Sequence, residues 1–146
     1  MGDPRVLSYS ECEALLRAGV AGRVALSTPT GPHILPVNYS VVGGAVIIRT
    51  TPSGLLGTYG RDATLAFEVD EFDYPNQRGW SVLVRGRSDV VDDHHELTHI
   101  RSVWPPRPWA DGQRSLFVRI HPTELSGRQL GIGWDPMGQR AARGVV

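Results

Sequence analysis

The sequence predicts a mainly β protein, an antiparallel barrel of six to seven strands with a few short helices. Three observations carry this. Short runs rich in β-branched and aromatic residues recur at even spacing along the 146 residues. Turn signals separate them, among them Pro29-Thr30-Gly31-Pro32 and Gly43-Gly44. Few segments show helical periodicity. The length suits one domain with one core, placed at about residues 7–130, with a loosely held tail over 131–146.

The elements follow in order. A helix starts at Ser8, which has Glu11 three residues on, the spacing of a capping box. Leu7 and Cys12 stand where a hydrophobic staple would. Cys12, Leu15 and Leu16 form one apolar stripe, and Gly19 is the stop. This stripe makes Cys12 a small core residue rather than a nucleophile. Strands are expected over Arg23–Thr28, His33–Val42, Ala45–Thr51, Thr64–Asp70 and Trp80–Val91, with Gly43-Gly44 a tight hairpin turn. Leu55–Arg61 suits one short helical turn. Asp93–Val103 reads as a second helix capped by Asp92 or Asp93. Trp104-Pro105-Pro106-Arg107-Pro108-Trp109 cannot be regular, because proline fixes φ and removes donors. Two last strands are expected over Ser115–His121 and Glu124–Leu130.

Composition narrows the function. Net charge is zero, which argues against nucleic acid or an anionic membrane as partner. No apolar run is long enough to span a bilayer, and the N-terminus lacks the apolar core of a signal peptide. One cysteine precludes an internal disulfide and suits a reducing, cytoplasmic setting. All 15 basic residues are arginine. Chemistry that needs a lysine (a Schiff base, a P-loop) is therefore excluded, and any phosphate clamp must use Arg, hydroxyls and backbone N–H groups.

One segment reads as such a clamp. The apolar run Ala45–Ile48 ends in Arg49, Thr50, Thr51, Pro52, Ser53 and Gly54. Arg offers a planar fork of donors suited to phosphate. The hydroxyls add donors, and Gly lets the backbone approach closely. The alternative is a surface arginine before an ordinary turn. Pro36-Val37-Asn38-Tyr39 lies inside an expected strand, where proline implies an edge or a bulge. A bulge would free the backbone groups of Val37 and Asn38 for a flat heteroaromatic ring. Trp80, opening Gly79-Trp80-Ser81-Val82, could cover such a ring or belong to the core. His95 and His99 are spaced i, i+4 and could face one metal, but no HExxH accompanies them, and metal is not expected. Gly131-Ile132-Gly133 does not open a helix after a strand, so a dinucleotide fingerprint is absent.

The order of these motifs resembles the pyridoxamine 5'-phosphate oxidase-like family of FMN-binding split barrels. The sequence runs capped helix, Gly-Arg-Val-Ala, Pro-Val-Asn-Tyr, Ile-Ile-Arg-Thr, Ala-Phe-Glu-Val-Asp, Gly-Trp-Ser-Val-Leu-Val-Arg-Gly, Pro-Trp-Ala, then a strand with Ser126-Gly127-Arg128. The resemblance implies a split barrel, a homodimer and FMN in clefts at the dimer interface. It implies that Arg49, Thr50, Thr51 and Ser53 hold the FMN phosphate. By the same resemblance Pro36, Val37 and Asn38 line the isoalloxazine ring, and Trp80, Ser81 and Val82 approach from the partner subunit. A flavin-dependent oxidoreductase acting on a small molecule is the function implied, with no catalytic side chain singled out. Relatives often carry a lysine where Leu55 stands. That departure leaves open weak FMN binding, the deazaflavin F420 as cofactor or an empty cleft; a further alternative is a non-catalytic flavin or haem binder, for which the histidines would be the formal axial ligands. Arg61 or a partner arginine could supply the missing charge, and the Trp104–Trp109 loop could close over the ring.

Overall fold

The computed structural model describes residues 4–103, 105–109, 112 and 114–131. Among the described residues, seven antiparallel strands and three short helices form the fold. They are β1 (Arg5–Val6), α1 (Tyr9–Ala18), β2 (Ala21–Thr28), β3 (Gly31–Val42), β4 (Ala45–Thr50), α2 (Leu55–Tyr59), β5 (Thr64–Asp73), β6 (Arg78–Val90), α3 (His94–Val103) and β7 (Leu116–Leu130). The strand order is β1-β7-β4-β3-β2-β5-β6, and a further β7–β6 pairing closes the ring. Closure pairs most strand edges, the usual hazard of an all-β chain, and leaves the two-residue β1 as an edge.

The local signals act as their chemistry requires. Ser8 caps α1 in a full capping box: Glu11 N–H donates to Ser8 Oγ at 3.2 Å, and Ser8 N–H to Glu11 Oε2 at 3.0 Å. Cys12, Leu15 and Leu16 are buried on its inner stripe. Burial pushes the Cys12 thiol above its ordinary pKa, as suits a packing residue. Leu7 and Cys12 converge on Gly127, where an added Cβ would stand 2.9 and 2.8 Å from their side chains. Gly43 and Gly44 both take positive φ (59° and 79°), the signature of a type I′ hairpin between β3 and β4. Asp93 caps α3, its Oδ2 accepting from Glu96 N–H at 2.9 Å.

Two expectations change. The stretches 115–121 and 124–130 form one strand, β7, because Pro122 falls at an irregularity rather than a break. Opposite Arg85/Gly86 the register slips by one residue, and Thr123 is the extra position; its hydroxyl donates to Arg85 O at 3.1 Å. The seventh strand is instead β1, two residues paired to the end of β7. Nor does Pro36 sit at a bulge. The β2–β3 register runs without a slip from Thr28/Gly31 to Ala21/Asn38. The tail beyond Gly131 and Trp104 lie outside the described residues.

The core is double. Inside the ring lie Val24, Tyr39, Val46, Ile48, Phe67, Val82, Val84, Val118 and Ile120. Outside it, α3 covers the β4–β7 face with a smaller cluster of Ala45, Ile47, Val91, Ile100 and Phe117. Strand β4 therefore buries both faces, which explains its unbroken apolar run. Removing either face of such a strand forfeits about 1.5–3 kcal/mol per large side chain.

Candidate functional site

Strand β3 creates the site by changing partners midway. Its first half pairs with β2 as far as Asn38. Its second half pairs with β4 from Tyr39/Ile48 to Val42/Ala45. Beyond Ile48, Arg49 and Thr50 pair with Phe117 and Leu116 of β7. A split thus opens between Pro36–Asn38 and the end of β4. Tyr39 N–H donates to Val20 O at 3.0 Å. By strand alternation Val37 also turns its backbone groups to β2, whereas Pro36 and Asn38 turn theirs to the split. Proline is accommodated here because its missing N–H would have faced that split.

Alternation also separates the residues of the expected clamp. Arg49 follows Ala45 and Ile47 on the outer face, and Thr50, buried, follows Val46 and Ile48 on the inner face. Arg49 Nε donates to Arg114 O at 3.2 Å, and its guanidinium carbon lies 5.2 Å from the Phe117 ring centroid. The ring and the carbonyl hold the fork in place, and among the described residues its two terminal nitrogens make no hydrogen bond.

The turn that follows gathers the hydroxyls. Gly54 N–H donates to Thr51 O at 3.2 Å, folding the chain back on itself. A Cβ at Gly54 would stand 2.9 Å from Thr51 Oγ1 and 4.0 Å from Thr50 Oγ1. The open side of Gly54 is thus a small cradle walled by two hydroxyls, with Ser53 exposed at its rim. Gly57 fits under the same turn, where a Cβ would collide with the Thr51 carbonyl. Leu55 is exposed beside the cradle. Arg61 directs Nε to the Gly57 carbonyl and so closes α2.

The third group is elsewhere. Trp80, Ser81 and Val82 pair with Gln129, Arg128 and Gly127 near the far end of β7. Arg49 pairs with Phe117 near its start. About 35 Å of strand separates the two positions. Trp80 and Val82 pack into the barrel core, and Ser81 alone of the three is half-exposed. Trp80 Nε1 is buried with no hydrogen-bond partner among the described residues.

Sequence reasoning left one feature open, the Trp104–Trp109 loop, and missed two. Trp109 reaches the split: its N–H donates to Asn38 Oδ1 at 2.9 Å, and its side chain is 75% exposed. Arg101 of α3 stands against the ring that Arg49 also uses, 5.4 Å from the Phe117 centroid. Glu68 and Asp70 share Arg23 across β2–β5, at 3.2 and 2.7 Å. The hydrogen bond with Asp70, with burial and the nearby negative charge, pushes the Glu68 carboxyl up to about 7. All three are contacts between residues distant in sequence, for which local spacing gives no signal. The histidine pair remains incomplete as a metal site: the described residues contain no group of three or more His, Cys, Asp or Glu placed to hold an ion.

Comparison with known proteins gives this geometry its context. The chain is similar to the FAD binding protein of Mycobacterium smegmatis: 29% identity, TM-score 0.73, covering 86% of this chain and 98% of that one. It is similar to an FAD-binding protein of Mesorhizobium loti at 26% identity and TM-score 0.70, covering 88% and 99%. Among curated relatives, uncharacterized protein Rv0080 of Mycobacterium tuberculosis is 30% identical over 129 residues, 85% of this chain and 84% of that protein. The family model described as pyridoxamine 5'-phosphate oxidase matches residues 8–129, a span that includes the capping box, the split and nearly all of β7. By that match, and by a ring of strands that splits where β3 changes partners, the chain belongs to the pyridoxamine 5'-phosphate oxidase family.

Proposed function

We propose that this protein binds a flavin in the split of its barrel and is an oxidoreductase acting on a small molecule. One observation carries the reading. The Thr50 and Thr51 hydroxyls wall a Gly54 cradle directly after the Phe117-backed guanidinium of Arg49. Hydroxyls and a close backbone approach are donor types of a phosphate site, and Arg49, on the opposite face of β4 one residue earlier, supplies a cation at its edge; this supports the phosphate of a flavin mononucleotide unit as ligand. Two similar structures are of FAD-binding proteins, which supports the ligand class.

Pro36, Val37 and Asn38 form the edge on which the isoalloxazine ring would lie, and the Asn38 backbone faces it. The bound flavin would supply hydride chemistry. The residues of this chain would bind and orient it. Trp109, tied to Asn38, would exclude water from the exposed side of the ring.

The homodimer is part of the proposal. Ser81, half-exposed between the core residues Trp80 and Val82, and Arg49 lie at opposite ends of β7, so one flavin would meet both only across an interface between two copies.

The test is the absorption spectrum of freshly purified protein, followed by titration with flavin. Visible flavin bands, or their shift on titration, with one flavin bound per chain, are expected. A colourless protein that leaves the flavin spectrum unchanged at high protein concentration overturns the reading.

A further inference from the structure

The outer face of the sheet carries a second opening, separate from the split. A cavity of about 400 Å³ lies between α3 and the β3–β4 hairpin. Its floor is apolar, from Ala45, Ile47 and Ile100, and His95, Glu96 and His99 line it from α3. None of the residues assigned to the flavin lines it. Its volume is that of a small-molecule cleft, and an apolar floor with a few convergent polar groups is the usual lining of one.

Strand pairing builds the rest of the wall. Ile47 pairs with Arg119 and Arg119 with Asp89, so the three stand in one row across β4, β7 and β6. Arg119 donates Nε and Nη2 to Asp89 at 2.9 and 2.7 Å, and Nη1 to Glu96 at 3.0 Å. Two carboxylates thus share one guanidinium, which leaves one negative charge in excess. His121 gives no counter-charge while its imidazole is neutral, and its Nε2 lies 3.0 Å from Asp89 Oδ1. Two other arginines of this region are engaged elsewhere. Arg87, opposite His121 on β6, donates to the Asp62 carbonyl, and Arg101 stands against Phe117 outside the lining.

This balance selects the sign of the ligand. An anion in the cavity would compete with Asp89 and Glu96 for a guanidinium already engaged at three nitrogens. A cation meets free acceptors instead. Glu96 gives only Oε1 to Arg119, and among the described residues its Oε2 accepts no hydrogen bond. The side chains of His95 and His99 likewise make none among the described residues, and a neutral imidazole offers one acceptor nitrogen.

We propose that the α3 cavity binds a small organic cation, a primary ammonium group on a compact apolar body. The body lies over Ala45, Ile47 and Ile100. The ammonium has three N–H donors, which match Glu96 Oε2 and the two imidazoles of α3. Arg119 keeps both carboxylates and fixes the position of Glu96.

Titrations at about pH 8, above the ordinary imidazole range, use three probes of similar shape: 2-phenylethylammonium, 2-phenylethanol and 3-phenylpropionate. Calorimetry of the purified full chain is expected to show the ammonium bound at least about tenfold more tightly than the alcohol, as a charge-assisted hydrogen bond warrants, with the carboxylate weakest. In NMR spectra the amide signals of Ile47 and Ile100 should shift as the ammonium saturates. E96Q keeps an oxygen for Arg119 and removes the charge, so it should bring the ammonium down to the affinity of the alcohol. H99W, at an exposed position of α3, should weaken ammonium and alcohol alike by filling the cavity. Circular dichroism confirms that each variant is folded. An ammonium that binds no better than the alcohol or the carboxylate, that leaves the two amides unshifted, or whose affinity survives either variant overturns the proposal. Because the cavity and the split share no residue, these outcomes are the same whether or not the protein binds flavin.

Discussion

The backbone N–H of Trp109 donates to Asn38 Oδ1 at 2.9 Å, joining a proline-rich loop to the strand that borders the split across 71 positions of sequence. The same Asn38 side chain reaches Val20 O through Nδ2 at 3.4 Å. Asn38 thus links three segments with one amide, and both amide atoms are used.

Replacing Asn38 with Ala removes the tie while leaving β3 paired to β2. One lost hydrogen bond is worth about 0.5–1.5 kcal/mol. The Trp109 amide should exchange with solvent several-fold faster, and bound flavin should dissociate faster by a similar factor. Hydrogen exchange by NMR and stopped-flow dissociation measure the two. An unchanged Trp109 exchange rate would show that the tie does not hold the loop.

Arg49→Ala should weaken flavin binding by about ten- to a hundredfold, the equivalent of roughly 1.5–3 kcal/mol for a charge-assisted contact. Because Arg49 is half-exposed, the barrel should remain folded. Arg49→Lys should recover only part of the loss, since an ammonium cannot make the planar fork or stack on Phe117 in the same way. Fluorescence titration together with thermal melting checks both.

Gly57→Ala should be more damaging than its exchange of a hydrogen for a methyl suggests. The new Cβ would meet the Thr51 carbonyl and push α2 off the turn that shapes the cradle. Overpacking of this kind costs about 1–3 kcal/mol. A lowered melting temperature accompanied by weakened flavin binding is the expected result.

Asp89 accepts from Arg119 Nε and Nη2 at 2.9 and 2.7 Å, and this contact holds its carboxyl below the usual aspartate range. A carboxylate with a lowered native pKa stabilises the fold above its unfolded pKa and loses that contribution as pH falls through the native value. Asp89→Asn should therefore cost about 1 kcal/mol at neutral pH, with solvent screening allowed for, and progressively less in acid. Urea denaturation at several pH values resolves this. A cost that does not depend on pH would refute the assignment.

Glu68 behaves in the opposite sense. Its carboxyl titrates near 7 in the fold, so its ionisation works against stability as pH rises from its unfolded value through about 7. Glu68→Gln should raise stability above pH 7 by up to about 1 kcal/mol, since half-exposure screens the effect, and make little difference in mild acid. Melting temperatures of the two proteins across that range provide the measurement.

Much of this molecule is decided by short-range rules. Ser8 and Glu11 set the start of α1, Gly43 and Gly44 set a hairpin, and the two-sided apolar run of β4 marks a buried strand, each through contacts within a few residues. Those rules also single out Arg49 through Gly54 as a candidate for the proposed anion turn, because the strand end and the turn are contiguous. What sequence could not decide is everything that depends on which strand pairs with which. Pro122 reads locally as a break, yet pairing with β6 carries β7 through it at the cost of one unpaired residue. Pro36 reads locally as a bulge, yet it is tolerated because β3 exchanges β2 for β4 one turn of pleat later. The juxtaposition of Arg101 with Arg49 on Phe117, the tie from Trp109 to Asn38 and the shared proton environment of Glu68 and Asp70 near Arg23 arise only when the ring closes, since closure brings together groups that propensity and spacing treat as independent.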